Sequence, residues 1–285
     1  MSSLFDFESK PDAYAVMGNP IAHSKSPQIH QMFAQQTQQH ITYEAILVDV
    51  GGFEQAVGNF VATGGKGLNI TVPFKRDAWK LVTQRSQRAE LAGAVNTIIV
   101  NSDHSLRGDN TDGAGLVRDL AHNHALTLQA KNILILGAGG AARGVLEPIC
   151  NENPALVLIA NRTPDRAHEL AHQLSQLGNI KGCGFSALLQ QKKSFDIIIN
   201  ATSASLQGEV PDIPAHIISA QSVCYDMMYG AQATAFMRWA EQHGAARSMD
   251  GLGMLVEQAA ESFYLWRGVR PQTKDVISAI RQSLG

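Results

Sequence analysis

An α/β protein of two domains is the fold class this sequence predicts, and three observations predict it. The chain has 285 residues, more than one hydrophobic core commonly serves. Short apolar runs rich in Val and Ile alternate with amphipathic helical runs, the pattern of strands joined by crossover helices in a mostly parallel sheet. The alternation runs twice, and the second round opens on a glycine-rich turn.

In chain order, DAYAVMGNP reads as a strand closed by a Gly-Asn-Pro turn. SPQIHQMFAQQ reads as a helix, with Ser26 as its cap and Pro27 at the first helical position. TYEAILVDV is a strand, GFEQAVGNFVATG a short amphipathic helix and GLNITVP the next strand. Pro73 cannot donate to a sheet ladder, so that strand stops there. KRDAWKLVTQRSQRAELAG reads as helical, AVNTIIV as a strand and SLRGDNTDG as its turn-rich end. The second round begins with KNILILGAGGAARGVL, a strand, glycine turn and helix. ALVLIANRTPDRAHELAHQL is a strand and helix, and FDIIINATSAS, SVCYDMMYG and GAARSMDG read as later strand ends. The helical tail, GMLVEQAAESFYLWRGV then TKDVISAIRQSLG, can pack back on the first domain. Boundaries near residues 112 and 250 divide the chain into 1–112 plus 251–285 and 113–250.

Composition excludes several classes of function. A formal net charge of −2 and a pI of about 6.5 offer no basic surface for nucleic acid or anionic membrane. No uncharged apolar run approaches the roughly 20 residues of a membrane helix. The acidic start MSSLFDFESKPDAY lacks the apolar core of a secretion signal, so a cytoplasmic protein is expected. Cys150, Cys183 and Cys224 have no paired spacing and read as buried free thiols. His122 and His124 lie in a polar stretch and read as solvent-facing, and no metal site is expected.

ILILGAGGAA is the strongest local motif. Gly137, Gly139 and Ala142 fill a GxGxxA spacing between a strand and a helix. Small residues allow a tight turn and close backbone approach to a pyrophosphate, and the helix N-terminus supplies free N–H groups. The next strand ends some 24 positions after Gly137 at Asn161-Arg162-Thr163, with Arg166 following. An acid at that place would bond a ribose 2′-hydroxyl, whereas guanidinium groups bind a 2′-phosphate in a planar fork. The pattern therefore predicts NADP rather than NAD.

Polar residues also cluster at the presumed strand ends of the first domain. GNPIAHSKSP offers Ser24 and Ser26, and NITVPFK offers Asn69, Thr71 and Lys75. GAVNT offers Asn96, and GDNTDG offers Asp109, Asn110 and Asp112. Each has a bland structural role open to it: Ser26 or Asp112 as a helix cap, Asn96 as a turn brace, Lys75 as a surface lysine. Gathered at one sheet edge they would form a cleft rich in hydroxyl and amide groups, suited to a polyhydroxylated ligand, with Lys75 and Asp112 as its charged pair.

These segments, with ANRT, NATS, YDMMYG and DGLGMLVEQA, stand in an order that resembles the shikimate dehydrogenase family along nearly the whole chain. The resemblance implies an N-terminal α/β substrate domain, a Rossmann NADP-binding domain and C-terminal helices returning to the first. It implies NADP-dependent reduction of 3-dehydroshikimate to shikimate, a step of aromatic amino-acid biosynthesis, by a monomer or homodimer. Lys75 and Asp112 would be the catalytic pair. Ser24, Ser26, Thr71, Asn96, Tyr229 and Gln258 would hold the substrate. Gly137, Ala138, Gly139, Gly140 and Ala141, then Asn161, Arg162, Thr163 and Arg166, then Met227 and Gly251, would meet the cofactor. Two alternatives stay open: a quinate/shikimate dehydrogenase using NAD, and a non-catalytic NADP sensor.

Overall fold

A computed structural model of the chain describes residues 10–285. Most of the acidic N-terminal start lies outside the described residues. Two six-stranded sheets follow one another along the chain.

The first sheet holds β1 (Asp12–Gly18), β2 (Ile41–Leu47), β3 (Gly67–Ile70), β4 (Gln84–Arg85), β5 (Thr97–Val100) and β6 (Leu106–Asp109), in the order β2-β1-β3-β5-β6-β4. Between them lie α1 (Ser26–Thr37), α2 (Phe53–Ala62), α3 (Lys75–Leu81) and α4 (Gln87–Ala92). The β1–β2, β1–β3 and β4–β6 pairs are parallel, and β5 is antiparallel to both β3 and β6. That antiparallel meander brings the end of β3, the start of β5 and the end of β6 to one edge.

The second sheet is parallel throughout. It holds β7 (Asn132–Leu136), β8 (Leu156–Asn161), β9 (Ile180–Gly184), β10 (Ile197–Asn200), β11 (Val223–Asp226) and β12 (Arg247–Asp250), in the order β12-β11-β10-β7-β8-β9. The period of two along β7 decides its faces. Ile133 and Ile135 pack with Val145 and Ile149 of α6 (Gly140–Asn151) and with Leu170 of α7 (Pro164–Gln173). Leu134 and Leu136 pack on the other side with Phe236 of α8 (Ala235–Gln242).

Two helices join the halves: α5 (Asp112–Arg118), which runs into a π-helical turn at Asp119–Asn123, and α9 (Leu252–Arg267). Gly113 and Gly115 let α5 approach its neighbours closely. A Cβ at Gly113 would stand 2.6 Å from the Gly144 carbonyl of α6, and one at Gly115 would stand 2.7 Å from the Gln258 nitrogen of α9. The tail does return to the first half. Val256 and Phe263 of α9, with Val276 and Ile280 of α10 (Lys274–Gln282), share a core with Ile29 and Phe33 of α1.

The structure departs from the sequence expectations in several places. KRDAWKLVTQRSQRAELAG is not one helix: the chain turns extended at Val82, β4 pairs beside β6, and Ser86 then caps α4, accepting the Ala89 N–H. SLRGDNTDG contains the strand β6, whose polar Arg107 and Asp109 hide its pairing role from an apolar pattern. The strand β9 carries two glycines and had no signal, because an edge strand needs little burial. Ser26 is not the cap of α1: Lys25 holds the cap position, and the Ser24 hydroxyl accepts the Ser26 N–H at 3.3 Å. Ladder pairing of β3 ends at Ile70, before Pro73. Cys150 and Cys224 are buried but Cys183 only half-buried, and His124 is half-buried beside Asp119. Among the described residues, no helix is long and apolar enough to cross a membrane.

His30 of α1 is fully buried in an aromatic nest, stacked on Tyr43 at 4.2 Å and edge-on to Phe33 at 5.9 Å. Among the described residues neither ring nitrogen meets a partner at full hydrogen-bond geometry, and nearby Asn69 opposes the effect of burial only weakly. Burial therefore pushes its pKa down to about 3. A histidine kept neutral in the fold contributes stability that is full above its unfolded pKa of about 6.5 and falls as pH drops below it. Wild-type unfolding free energy should decline between pH 6.5 and 3 with a component of about 1.4 kcal/mol per pH unit. His30→Phe keeps the stack without the titration and should flatten that component in denaturant titrations. An unchanged slope would remove His30 as its source.

Candidate functional site

Most of the polar residues that the sequence scatters over four segments meet in a cleft of about 290 Å³ between the two sheets, but Asp109 and Asn110 do not line it: Asp109 turns to the Arg88 guanidinium and the Asn110 amide donates to the Ala94 carbonyl. Ser24, Ser26, Thr71, Lys75, Asn96, Asp112, Tyr229 and Gln258 all line it, as do Met227 and Gly251. Most arrive at the carboxyl end of a strand or the first turn of a helix. Thr71 follows β3, Lys75 opens α3, Asp112 opens α5, and Met227 and Tyr229 follow β11. Asn96 arrives at the same edge because β5 runs antiparallel to β3.

The Lys75 ammonium donates to Asp112 Oδ2 at 2.6 Å. Both side chains are partly exposed to the cleft, so the pair is open to a ligand. Asp112 stands at the start of α5, where free backbone N–H groups favour a carboxylate. Its other oxygen, Oδ1, accepts from Asn96 Nδ2 at 2.7 Å. Asn96 has no freedom to turn: its Oδ1 accepts the Thr111 backbone N–H and the Thr97 hydroxyl, each at 2.9 Å. A carbonyl fixed by a backbone donor forces the amide nitrogen toward the acid. The Asn96 amide also reaches Gln258 Oε1 at 3.3 Å.

Behind the cleft lies a buried layer of which the sequence reading named only Asn69, which also reaches the cleft lining. Ser262 meets Thr97 Oγ1 at 2.7 Å and Thr111 Oγ1 at 3.2 Å, and accepts from Asn69 Nδ2 at 3.0 Å. Tyr43 donates to Asn69 Oδ1 at 2.7 Å. One signal was available: Ser262 stands four residues after Gln258, on the same face of α9. Tyr43, Thr97 and Thr111 carried none, since each sits in or beside a strand and its partners are remote in sequence.

Gly137 to Ala141 and Asn161 to Arg166 lie outside the cleft lining, on the second sheet. Gly137 turns the chain at φ +107°, a conformation that favours glycine. Among the described residues no side chain caps α6, and a Cβ on Gly139 or Gly140 would meet open space. Free helix N–H groups facing open space fit a pyrophosphate. Arg162 and Arg166 are exposed, and neither forms an ion pair among the described residues. The Asn161 amide donates to the Thr163 carbonyl at 2.9 Å and shapes the turn between them. The residues present thus fit a phosphorylated dinucleotide. α6 links this turn to the acid of the cleft: four residues on from Gly140, about 6 Å along the helix, Gly144 faces Asn110 and Asp112.

The loop after β11 is braced by Asp226. Its Oδ1 accepts from Asn200 Nδ2 and from the Met228 N–H, both at 3.1 Å. Its Oδ2 accepts the Ser205 hydroxyl at 2.5 Å and the Thr234 hydroxyl at 2.6 Å. Burial raises the Asp226 pKa, and these hydrogen bonds oppose the rise.

Comparison with known proteins places three family profiles along the chain. The shikimate dehydrogenase substrate binding domain matches residues 16–98. Shikimate / quinate 5-dehydrogenase matches 119–207, and the shikimate 5′-dehydrogenase C-terminal domain matches 251–281. The shikimate dehydrogenase (NADP(+)) of Alkalilimnicola ehrlichii is 57% identical over 270 residues, covering 95% of this chain and 98% of that protein. Among solved structures, an Ael1 enzyme from Pseudomonas putida aligns with a TM-score of 0.90 at 45% identity, covering 94% of this chain and 97% of that one. Shikimate 5-dehydrogenase from Thermus thermophilus, in complex with NADP(H) and shikimate, aligns with a TM-score of 0.84 at 29% identity, covering 96% of this chain and all of that one.

Ser262→Ala removes the hydroxyl shared by Asn69, Thr97 and Thr111, each of which keeps another partner in the layer. It should lower unfolding free energy by about 0.5–1.5 kcal/mol, read as a lower denaturant midpoint at unchanged slope. A midpoint within error of wild type would show that the layer does not depend on this hydroxyl.

Proposed function

The chain belongs to the shikimate dehydrogenase family, and on that footing we propose that it interconverts 3-dehydroshikimate and shikimate with NADP. The observation that carries the reading is the Lys75–Asp112 pair at 2.6 Å, facing a cleft into which Ser24, Ser26, Thr71, Asn96, Tyr229 and Gln258 bring hydroxyl and amide groups. Residues 1–112 with 251–285 form the substrate-binding unit and 113–250 the cofactor-binding unit. The enzyme works in the cytoplasm as a monomer or homodimer, in aromatic amino-acid biosynthesis.

When bound, the reduced nicotinamide supplies the hydride for the ketone carbon. Every other requirement falls to the chain. The Gly139, Gly140 and Ala141 backbone holds the pyrophosphate, and Arg162, Thr163 and Arg166 hold the 2′-phosphate. Met227 and Gly251, which line the cleft, would meet the cofactor. Ser24, Ser26, Thr71, Asn96, Tyr229 and Gln258 hold the carboxylate and hydroxyls of the substrate. The Lys75 ammonium stabilises the negative charge that grows on the ketone oxygen and gives it a proton. In the reverse direction the same amine takes the proton from the hydroxyl. Asp112, oriented by Asn96, holds the Lys75 head group in place for both directions.

Assays crossing shikimate and quinate with NADP and NAD, followed at the reduced-nicotinamide absorbance, test the reading directly. Fast turnover is expected with shikimate and NADP; preference for quinate or NAD would replace the reading with the broader dehydrogenase. Lys75→Ala should lose about a hundredfold or more in kcat with little change in KM, and Asp112→Asn should behave alike. An intact kcat in Lys75→Ala would sink the assignment. Removing both Arg162 and Arg166 should raise KM for NADP about tenfold or more and leave KM for NAD nearly unchanged. An equal effect on both cofactors would argue against a 2′-phosphate site.

A further inference from the structure

The loop that brings Met227 and Tyr229 to the cleft is held from two sides. Asp226 braces it within the second sheet's half of the molecule. From the other half, Arg281 of α10 donates Nη1 to the Gly230 carbonyl at 2.9 Å. The same guanidinium grips the Asp250 carboxylate as a fork, Nη1 to Oδ2 at 2.7 Å and Nη2 to Oδ1 at 2.6 Å.

Asp250 ends β12, the edge strand of the second sheet, and its side chain is 7% exposed. Its Oδ1 also accepts the Leu252 N–H at 3.2 Å, in the first turn of α9. That helix carries Gln258 to the cleft. Between them, the Gly251 N–H donates to the Met228 carbonyl at 3.1 Å. One guanidinium therefore ties a helix packed on the first half to three elements at the second crossing between the halves: the Tyr229 loop, the end of β12 and the start of α9.

We propose that Arg281 is a positioning residue that sets where Met227 and Tyr229 stand relative to Lys75 and Ser24, and so the working width of the cleft. It lines no part of the cleft and touches no reacting atom. The function requires arginine: a planar fork can meet both carboxylate oxygens and a carbonyl at once, whereas an ammonium on a flexible stem cannot hold that geometry. Burial of Asp250 makes the partner obligatory, because a buried carboxylate left alone is costly. The proposal rests on the reading of this cleft as the substrate and nicotinamide site.

The test uses the full chain as Arg281→Lys, Arg281→Met and the double variant Arg281→Met with Asp250→Asn. Three readouts are taken: steady-state KM and kcat with shikimate and NADP, NADPH affinity by nicotinamide fluorescence, and Tm. In Arg281→Met, KM for shikimate and Kd for NADPH should each rise about tenfold, while kcat changes less. Arg281→Lys should recover part of both. The double variant should regain Tm, since no buried charge is left unpaired, but should keep the raised KM and Kd. If Arg281→Met lowers Tm alone, or if the double variant restores KM and Kd together with Tm, the bridge is only structural and the proposal falls. If Arg281→Met does not fold, the lysine and double variants carry the same comparison. A wild-type protein that binds NADPH without oxidising shikimate would overturn the functional reading instead, and the NADPH arm would still decide the role of Arg281.

Discussion

The close packing of α5 between α6 and α9 is the constraint on which the site depends. α5 and α9 join the two sheets, α6 belongs to the second, and Gly113 and Gly115 allow the three to approach until backbone and side chain touch. α5 opens with Asp112, α9 carries Gln258 and Ser262, and α6 begins at the glycine turn. Fixing the three axes against one another therefore fixes the acid of the cleft, its amide neighbour and the start of the dinucleotide turn in one operation. A site assembled from two halves needs such a joint, because hydride transfer and proton transfer act on adjacent atoms and tolerate little misplacement.

A second feature follows from that joint. The polar groups around the acid of the cleft are not simply exposed side chains gathered by chance; they are held by other groups further in. Asn96 is turned by the Thr111 backbone, Asp112 is held by Asn96, and the layer of Asn69, Thr97, Thr111 and Ser262 supports them. Such a network is worth having only when nearly every member is satisfied, since an unpaired buried donor or acceptor costs more than a hydrogen bond returns. Preorganised dipoles of this kind can face a developing alkoxide without having to reorient.

Much of this was legible in the sequence because the relevant signals are local. A run of apolar residues followed by Gly137, Gly139 and a helix is a strand, turn and helix almost wherever it occurs. The polar clusters at strand ends were legible too, because parallel strands deliver the residues that follow them to one edge of the sheet; Asn96 reaches that edge only because β5 runs antiparallel to β3. Where the reading failed, the signal was absent for a physical reason. β6 and β9 are short and polar or glycine-rich, and gain their pairing from neighbours rather than from an apolar pattern. Between α3 and α4 the chain is extended from Val82 so that β4 can pair with the remote β6, a pairing that a helical pattern does not announce. Ser26 looked like a cap, yet the neighbouring Ser24 hydroxyl accepts its N–H.

Sequence by itself determined the two rounds of strand and helix, the glycine turn with its arginines, and the kinds of side chain available at the strand ends. These depend on periodicity, backbone freedom and residue chemistry, all properties of short segments. Tertiary structure alone decided that Lys75 meets Asp112 across 37 positions, that Ser262 reaches Thr97 across 165, and that Arg281 returns to Asp250 and Gly230. Those pairings are set by the crossing of helices and the order of strands, which no stretch of local sequence encodes. The chemistry is written in segments, but the distances that make it chemistry come from the packing between them.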